Sequence, residues 1–319
     1  MSLKRIGFTS LALISISILS AQLVNAQLRL PQGSQKATVT QTIGVTDLTI
    51  VYFRPMVKGR TIWGDAPATA EKGEGTLDGQ NDGTDGKALV AYGRIWRTGA
   101  NAATQFIVTD PVTINGTPLA AGSYSLHTIP GKEEWTIIFN NVAEQGGSFR
   151  YDAKKDALRV KTKPQWVAEN QEALLFNVDP ASANSAVVTI AWEKGRIPST
   201  VTLAGDGVAT TLAKAKISVP AAKADDWATP FRAAGFANTN NDKASAAAWI
   251  SQALKAVDVS IAAKETWENL TGRANILLSA GRRDDAFAAA DKAISFGKAN
   301  AADTANFEKR FADLKAAKQ

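Results

Sequence analysis

Four arginines and two tryptophans lie in two nearby stretches of the sequence and are the side chains best suited to recognise a ligand. With a neighbouring asparagine, the set is Arg54, Arg60, Trp63, Arg94, Trp96, Arg97 and Asn101. A guanidinium binds a carboxylate, phosphate or sulfate through paired hydrogen bonds, and a tryptophan face stacks on a sugar or a guanidinium. Two interpretations are open: a shallow pocket for an anionic or glycan ligand, or a structural set that ties loops to the fold.

His127 is the only histidine, and the chain has no cysteine. Thiol chemistry, disulfides and cysteine-ligated metal sites are therefore excluded. A Ser–His–Asp triad would have to use His127, and no Gly-x-Ser-x-Gly elbow is present. We expect His127 to be half-buried or at the surface of a strand, and it is retained as a ligand-binding candidate. We predict no catalytic residue, no cofactor and no metal.

Glycoside hydrolysis would need two carboxylates that converge to within about 5–10 Å. Glu133 and Glu134 are adjacent in sequence, and neighbouring side chains of a strand point to opposite faces. They cannot share one site, and no other pair is indicated by the sequence. A glycan hydrolase is therefore an alternative rather than the preferred interpretation.

The elements that must position these residues are strands. Short β-rich segments separated by turn signals such as Asn115-Gly116 run through residues 34–203, with no amphipathic helix between them. This pattern predicts an antiparallel β-sandwich, or a barrel-like variant of it. The stretch 65–87 interrupts it with five glycines, six acids and one large apolar residue, so we expect a flexible loop. Its segment Asp78–Gly83 resembles the start of a calcium loop but lacks the acidic residue at the twelfth position.

The composition changes after residue 203. Residues 204–224 are predicted to be a linker and residues 225–319 an α-helical domain, because apolar residues recur there at helical spacing. About five helices are predicted, over 225–237, 242–257, 260–280, 282–297 and 301–317. One hairpin weakly resembles a tetratricopeptide repeat, with small or apolar residues at Leu277, Gly281, Ala286, Ala290 and Ala293.

Residues 1–26 have the features of a cleavable signal peptide. Lys4 and Arg5 precede an apolar stretch, and Val24-Asn25-Ala26 fits a cleavage site. Removal of this segment lowers the formal net charge from +6 to +4, because it holds two cations and no acid. The net positive charge is therefore small, and the basic residues do not cluster with aromatic residues. Both observations argue against a nucleic-acid partner. No later segment is apolar for long enough to span a membrane.

Several motifs, in a fixed order, resemble the Domain of Unknown Function 2911 family. They are Gln35-Lys36-Ala37-Thr38-Val39, Arg54-Pro55-x-Val57-Lys58-Gly59-Arg60, Tyr92-Gly93-Arg94-Ile95-Trp96-Arg97-Thr98-Gly99-Ala100-Asn101, Ala121-Gly122-Ser123-Tyr124-Ser125-Leu126, Ile129-Pro130-Gly131, Glu134-Trp135 and Ala191-Trp192-Glu193. The resemblance covers about residues 34–203. It implies an exported bacterial protein of the periplasm or extracellular space of a Gram-negative bacterium, but no activity.

The sequence as a whole favours an exported, non-catalytic binding or scaffolding protein of the cell envelope. Its partner would be an envelope glycan or protein. The alternatives are the glycan hydrolase and a structural protein that assembles through its helical tail. A concave site lined by convergent carboxylates would favour the enzyme, and a flat sheet face or a groove in the helical tail would favour binding.

The predicted signal peptide can be tested by intact mass. The exported protein should begin at Gln27, with or without cyclisation of that residue to pyroglutamate. A mature form that still carries Lys4 and Arg5 would contradict the export prediction.

Overall fold

The computed structural model describes residues 30–317, and the predicted signal peptide lies outside them. Residues from Ser34 onward form one compact unit, with strands in its first part and helices in its second. This confirms the predicted mixture of antiparallel β-sheet and α-helix.

Twelve strands form the β part of the described chain. They are β1 (Gln35–Ile43), β2 (Thr46–Arg54), β3 (Trp63–Gly64), β4 (Val90–Ala91), β5 (Thr104–Val108), β6 (Val112–Ile114), β7 (Thr117–Leu119), β8 (Gly122–Ile129), β9 (Trp135–Asn140), β10 (Asp156–Thr162), β11 (Gln165–Ser182) and β12 (Ser185–Leu203). A short 3₁₀ turn, Ala153–Lys155, precedes β10.

The strands form two antiparallel sheets and one small parallel pair. The larger sheet has the order β1-β2-β5-β8-β9-β10, the smaller has β11-β12-β6-β7, and β3 pairs with β4. Neither large sheet closes on itself, so the architecture is the predicted sandwich and not the barrel-like variant. One core lies between the sheets, where the rings of Tyr52 in β2 and Phe176 in β11 approach to 4.8 Å.

Alternation of side chains explains which residues reach that core. In β2 the buried residues include Leu48, Ile50 and Tyr52, each two positions from the next, as one face of a strand requires. The β6–β7 hairpin has the predicted turn at Asn115-Gly116, with φ of 48° and 83°. Positive φ at both central residues is the signature of a type I′ turn.

The helical part contains six helices rather than five. They are α1 (Gly207–Ala221), α2 (Ala228–Thr239), α3 (Lys243–Ala263), α4 (Trp267–Ser279), α5 (Arg283–Ala299) and α6 (Ala305–Ala316). The predicted break near residue 258 was wrong, because α3 continues to Ala263. The next helix begins at Thr266, where Thr266 and Asn269 form a reciprocal capping box.

The segment 204–224, predicted to be a linker, is mostly helix α1. The Asp206 side chain caps its first turn by accepting from Val208 N. Lys214 on this helix forms an ion pair with Asp110 at 2.6 Å and donates to the carbonyl of Val45. The helix was missed because its apolar face is weak; it packs on α2 and α3 through the fully buried Val219 and makes polar contacts with the end of the sandwich.

Small residues bring the later helices together, as the hairpin pattern predicted. Ala286 and Ala290 of α5 are fully buried against Ala274 and Leu277 of α4. The identity of this part as a tetratricopeptide repeat stays a prediction. Among the described residues, no helix has both the length and the apolar character needed to cross a bilayer.

Two tryptophans pack directly on helical glycines. A Cβ placed on Gly272 of α4 would lie 2.6 Å from Trp227, and one on Gly297 of α5 would lie 2.7 Å from Trp267. Such distances are shorter than any relaxed carbon–carbon contact, so each glycine is required by the ring beside it. Gly235 of α2 has open space at the same position.

We therefore predict opposite effects for two glycine-to-alanine changes. Gly272→Ala should lower the free energy of unfolding by about 1–3 kcal/mol through overpacking. Gly235→Ala, the matched control, should raise it by about 0.5–1 kcal/mol, because alanine is the better helix former. Urea unfolding of both variants measures this, and equal effects at the two positions would contradict the packing described.

Candidate functional site

Five tryptophans from distant parts of the chain converge around Trp63. Its ring centroid lies 5.2 Å from Trp135, 5.6 Å from Trp192, 5.7 Å from Trp96 and 6.3 Å from Trp166. All four contacts are edge-to-face, a favoured geometry for aromatic pairs. Trp96 and Trp192 stack on each other with centroids 5.8 Å apart. The cluster fixes the loops that leave β3, β4 and β11 against the sandwich.

A small cavity of about 170 Å³ opens beside this cluster. Its walls come from the end of β2, the loop after β4, the insertion and β12. They comprise Ser34, Pro55, Arg60, Asp78, Gly79, Leu89, Trp96, Arg97, Gly99, Ala100 and Trp192. Three of the predicted site residues, Arg60, Trp96 and Arg97, therefore line one cavity, with Trp63 directly behind them.

Three of the four arginines donate hydrogen bonds to backbone carbonyls. Arg54 Nε donates to Leu174 O at 2.8 Å, Arg60 Nε donates to Val57 O at 3.1 Å, and the Arg94 guanidinium donates to Glu71 O. A guanidinium used in this way fixes a loop. Of these three, only Arg60 also reaches the cavity.

Arg97 differs from the other three. Its Nε is buried and has no hydrogen-bond partner among the residues the structure describes. It lies 3.8 Å from Asp78 Oδ2, which gives an ion pair that is too long for a hydrogen bond. Buried polar atoms are nearly always partnered, by protein, by water or by a ligand. The Arg97 side chain as a whole is 18% exposed and lines the cavity beside Asp78.

Gly147 allows a loop to approach the Arg97 guanidinium. A Cβ at Gly147 would lie 2.9 Å from Arg97 Nη1 and 3.0 Å from the Phe149 ring, and the residue has a φ of 124°. The Phe149 ring is centred 6.0 Å from the guanidinium carbon. The loop 141–150 therefore forms one wall around Arg97, at a place where only glycine fits.

The insertion 65–87 supplies a buried acid to the same cavity. Asp78 accepts hydrogen bonds from the hydroxyl and the backbone N–H of Ser148, the second at 3.3 Å. Burial raises the pKa of Asp78, and the charge of Arg97 and the Ser148 hydrogen bonds only partly oppose that effect. Asp78 is therefore a buried residue within a segment of acidic, glycine-rich composition.

Polar contacts hold the insertion elsewhere too. Thr61 N donates to Gly83 O and Ile95 N donates to Glu74 O, each at 2.9 Å. The stretch has little apolar surface, and hydrogen bonds such as these connect it to the rest of the β part; its flexibility stays a prediction. Its two candidate calcium ligands diverge: Asp78 faces Ser148, whereas Asp82 caps Thr84. Within residues 30–317 no three acidic or histidine side chains gather in a way that could hold a metal ion.

The turn between Trp96 and β5 has unusual backbone geometry. Thr98 and Asn101 both have left-handed φ values, 53° and 56°. For a β-branched residue this is a strained conformation, and Thr98 is held in it by being fully buried and by bonding Thr104 Oγ1 through its carbonyl at 2.7 Å. The turn exposes Gly99 and Ala100 to the cavity, whereas Asn101 donates to Ser34 O at 3.3 Å.

His127 lies elsewhere and does not line the cavity. It is fully buried, not half-buried or exposed as predicted, because the segment around Tyr151 covers that face of β8; the two rings are 5.0 Å apart. Its Nε2 lies 3.2 Å from Ser125 Oγ. Its Nδ1 has no partner among the described residues, so the pair lacks the carboxylate that orients a catalytic histidine.

Sequence reasoning missed several residues that complete the site. Asp78 and Ser148 come from loops whose positions the sequence does not fix. Trp135, Trp166 and Trp192 lie 39 or more residues from Trp96 in the chain. A shared signal was available for the tryptophans, since all five belong to the β part and such rings seldom remain exposed singly.

Burial of His127 predicts a specific pH dependence of stability. Burial lowers its pKa to about 4 from 6.5, and the nearby Asp156 charge only partly opposes this. Below pH 6.5 the unfolded chain takes up a proton that the folded protein does not. The free energy of unfolding should therefore fall by up to about 3 kcal/mol between pH 6.5 and pH 4. His127→Gln should remove that part of the slope in urea melts, and an unchanged slope would contradict the assignment.

The chain was compared with known proteins and protein families. No curated protein and no solved structure matches the chain. A family model described as "Protein of unknown function (DUF2911)" matches residues 34–201, which is more than half of the chain. The match ends where β12 ends and the helices have not yet begun. The chain belongs to the DUF2911 family.

Proposed function

We propose that this is an exported, non-catalytic binding protein of the cell envelope whose β part holds one acidic sugar residue of an envelope glycan. The observation that carries the proposal is the Arg97 side chain, which lines a tryptophan-walled cavity, is 18% exposed and lies 3.8 Å from Asp78 Oδ2.

The chemistry of the cavity suits such a ligand. Arg97 can bind a carboxylate through its fork, Asp78 can accept hydrogen bonds from sugar hydroxyls, and Trp96 and Trp192 offer apolar surface. The cavity is lined by two cations, Arg60 and Arg97, and one acid, Asp78. The excess of one positive charge favours a ligand with one negative charge. A volume of about 170 Å³ is below the roughly 300–1,000 Å³ of pockets for drug-sized ligands, so it suits a single ring.

Binding rather than hydrolysis is supported by the carboxylates. Asp78 is the only acid among the residues that line the cavity. A glycosidase needs two carboxyl groups on opposite sides of the scissile bond. The buried Ser125–His127 pair does not offer a substitute, because both residues are fully buried.

Export is part of the proposal and rests on residues 1–26. Lys4, Arg5 and the apolar stretch that follows have the composition of a secretory signal. The lack of any cysteine is compatible with an oxidising compartment, since no free thiol would need protection. We assign the periplasm or the extracellular space as its location.

Assembly through the helical tail is the second candidate, and one feature favours it. A groove of about 610 Å³ lies between α2, α3 and the end of α4, with Phe231 and Ile250 in its walls and Arg232 and Lys243 beside them. Such a groove could receive a protein segment. It would act in addition to the cavity, since the two lie in different parts of the chain.

The role of Arg97 can be tested with a change that keeps its charge. Arg97→Lys preserves a cation beside Asp78 but loses the planar fork, so the affinity for glucuronic or galacturonic acid should fall about tenfold. Glucose and galactose, which lack the carboxylate, should bind more weakly to the wild type than the acids do. Titration followed by NMR measures both.

Arg54→Lys is the matched control, because Arg54 donates to Leu174 O and does not line the cavity. It should lower stability while leaving the affinity for the acidic sugar within twofold. Equal affinity of Arg97→Lys and the wild type would overturn the proposed function, as would equal binding of acidic and neutral sugars.

A further inference from the structure

Two larger depressions adjoin the Arg97 cavity and surround the turn at Gly146 and Gly147. The first, of about 340 Å³, is lined by Lys36, Val51 and Phe53 of the first two strands and by residues 144–146. The second, of about 620 Å³, is lined by Val142, Phe149 and Arg150 together with the same loop residues. Glu144, Gln145 and Gly146 line both, so the two depressions meet at this loop.

The strand geometry connects them to the cavity. Val51 and Phe53 are alternate residues at the end of β2, so their side chains lie on one face, opposite to the core residues Ile50 and Tyr52, and Pro55 follows directly after this strand. Pro55 lines the cavity and Phe53 lines the next depression. Two residues of a strand span roughly 7 Å, which is the separation of neighbouring subsites rather than of independent sites.

The second depression also borders Arg97, through Phe149 and Gly147. Phe149 is 61% exposed, an unusual state for a large aromatic residue, and its ring lies beside both the Arg97 guanidinium and Gly147. Exposed aromatic rings next to a cavity provide flat surfaces on which sugar rings stack. The groove therefore offers two such rings, Phe53 and Phe149, outside the cavity itself.

Gln145 anchors the loop that lines both depressions. The residue is 8% exposed, and its Nε2 donates to Ser125 Oγ at 3.0 Å. This hydrogen bond ties residues 144–146 to β8, so the wall that the two depressions share is held by the sheet beneath it.

We infer that the groove binds a linear acidic glycan of at least three residues, with one acidic residue in the Arg97 cavity and its neighbours along Phe53 and the 144–149 loop. The inference rests on the proposed function and extends it from one sugar to a polymer. A cavity of about 170 Å³ holds one ring, whereas the adjoining depressions are far larger than one ring needs. The depressions are lined by two cations, Lys36 and Arg150, and one acid, Glu144. The net charge of +1 favours a polyanionic ligand.

The experiment compares uronic acid oligomers of one, two, three and five residues, from galacturonan and alginate, by isothermal titration calorimetry. Affinity of the wild type should rise at least tenfold from one residue to three. Phe53→Ala should weaken binding of the trimer about fivefold, and Lys36→Ala about threefold, while neither changes binding of the monomer by more than twofold. Lys163→Ala, an exposed lysine away from the groove, is the matched control and should change neither.

The outcomes separate the two proposals. If the affinity is the same for monomer and trimer, the proposal that the groove binds a polymer is wrong, whereas the proposal of a single-sugar cavity is unaffected. Absence of binding to every oligomer would overturn the proposed function along with it. Melting curves of Phe53→Ala and Lys36→Ala identify a misfolded variant; if Phe53→Ala fails to fold, the exposed Lys36→Ala still decides the case.

Discussion

The packing of Trp63 among four other tryptophans is the interaction on which the candidate site depends. Each partner belongs to a different segment, so the cluster joins the loop after β2 to the loop before β5, to β9, and to the two long strands β11 and β12. Large rings in edge-to-face contact have few alternative arrangements, which makes this junction rigid. The Arg97 cavity lies against it and therefore has a wall that does not have to be ordered when a ligand binds.

A second buried layer covers the outer face of the larger sheet. Ser125 and His127 point away from the sandwich core and are covered by Gln145 and Tyr151. The layer is polar, and its hydrogen bonds connect β8 to the loop that also forms the groove. Because buried polar groups keep their partners in fixed geometry, this layer positions the 141–150 loop from beneath while the Arg97 side chain meets it from the side.

The sequence was sufficient for the parts of the fold that depend on local patterns. The antiparallel strands, the Asn115-Gly116 turn and the close helix contact through Ala286 and Ala290 all appear where they were predicted. Local patterns failed where a distant partner decides the outcome. Helix α1 packs through Val219 on helices that follow it, and the burial of His127 depends on a loop that covers it. The cavity follows the same rule: Arg60, Trp96 and Arg97 were identified from their types, whereas Asp78 required knowledge of where its loop lies.

The insertion 65–87 contributes the acid of the cavity without sharing in the sandwich core. It is held by hydrogen bonds at Glu74 and Gly83 and by the buried Asp78, which accepts from Ser148. Substitutions at its exposed positions would thus leave the tryptophans and Arg97 in place. The acidic wall of the cavity and the β-sandwich are therefore subject to separate evolutionary constraints.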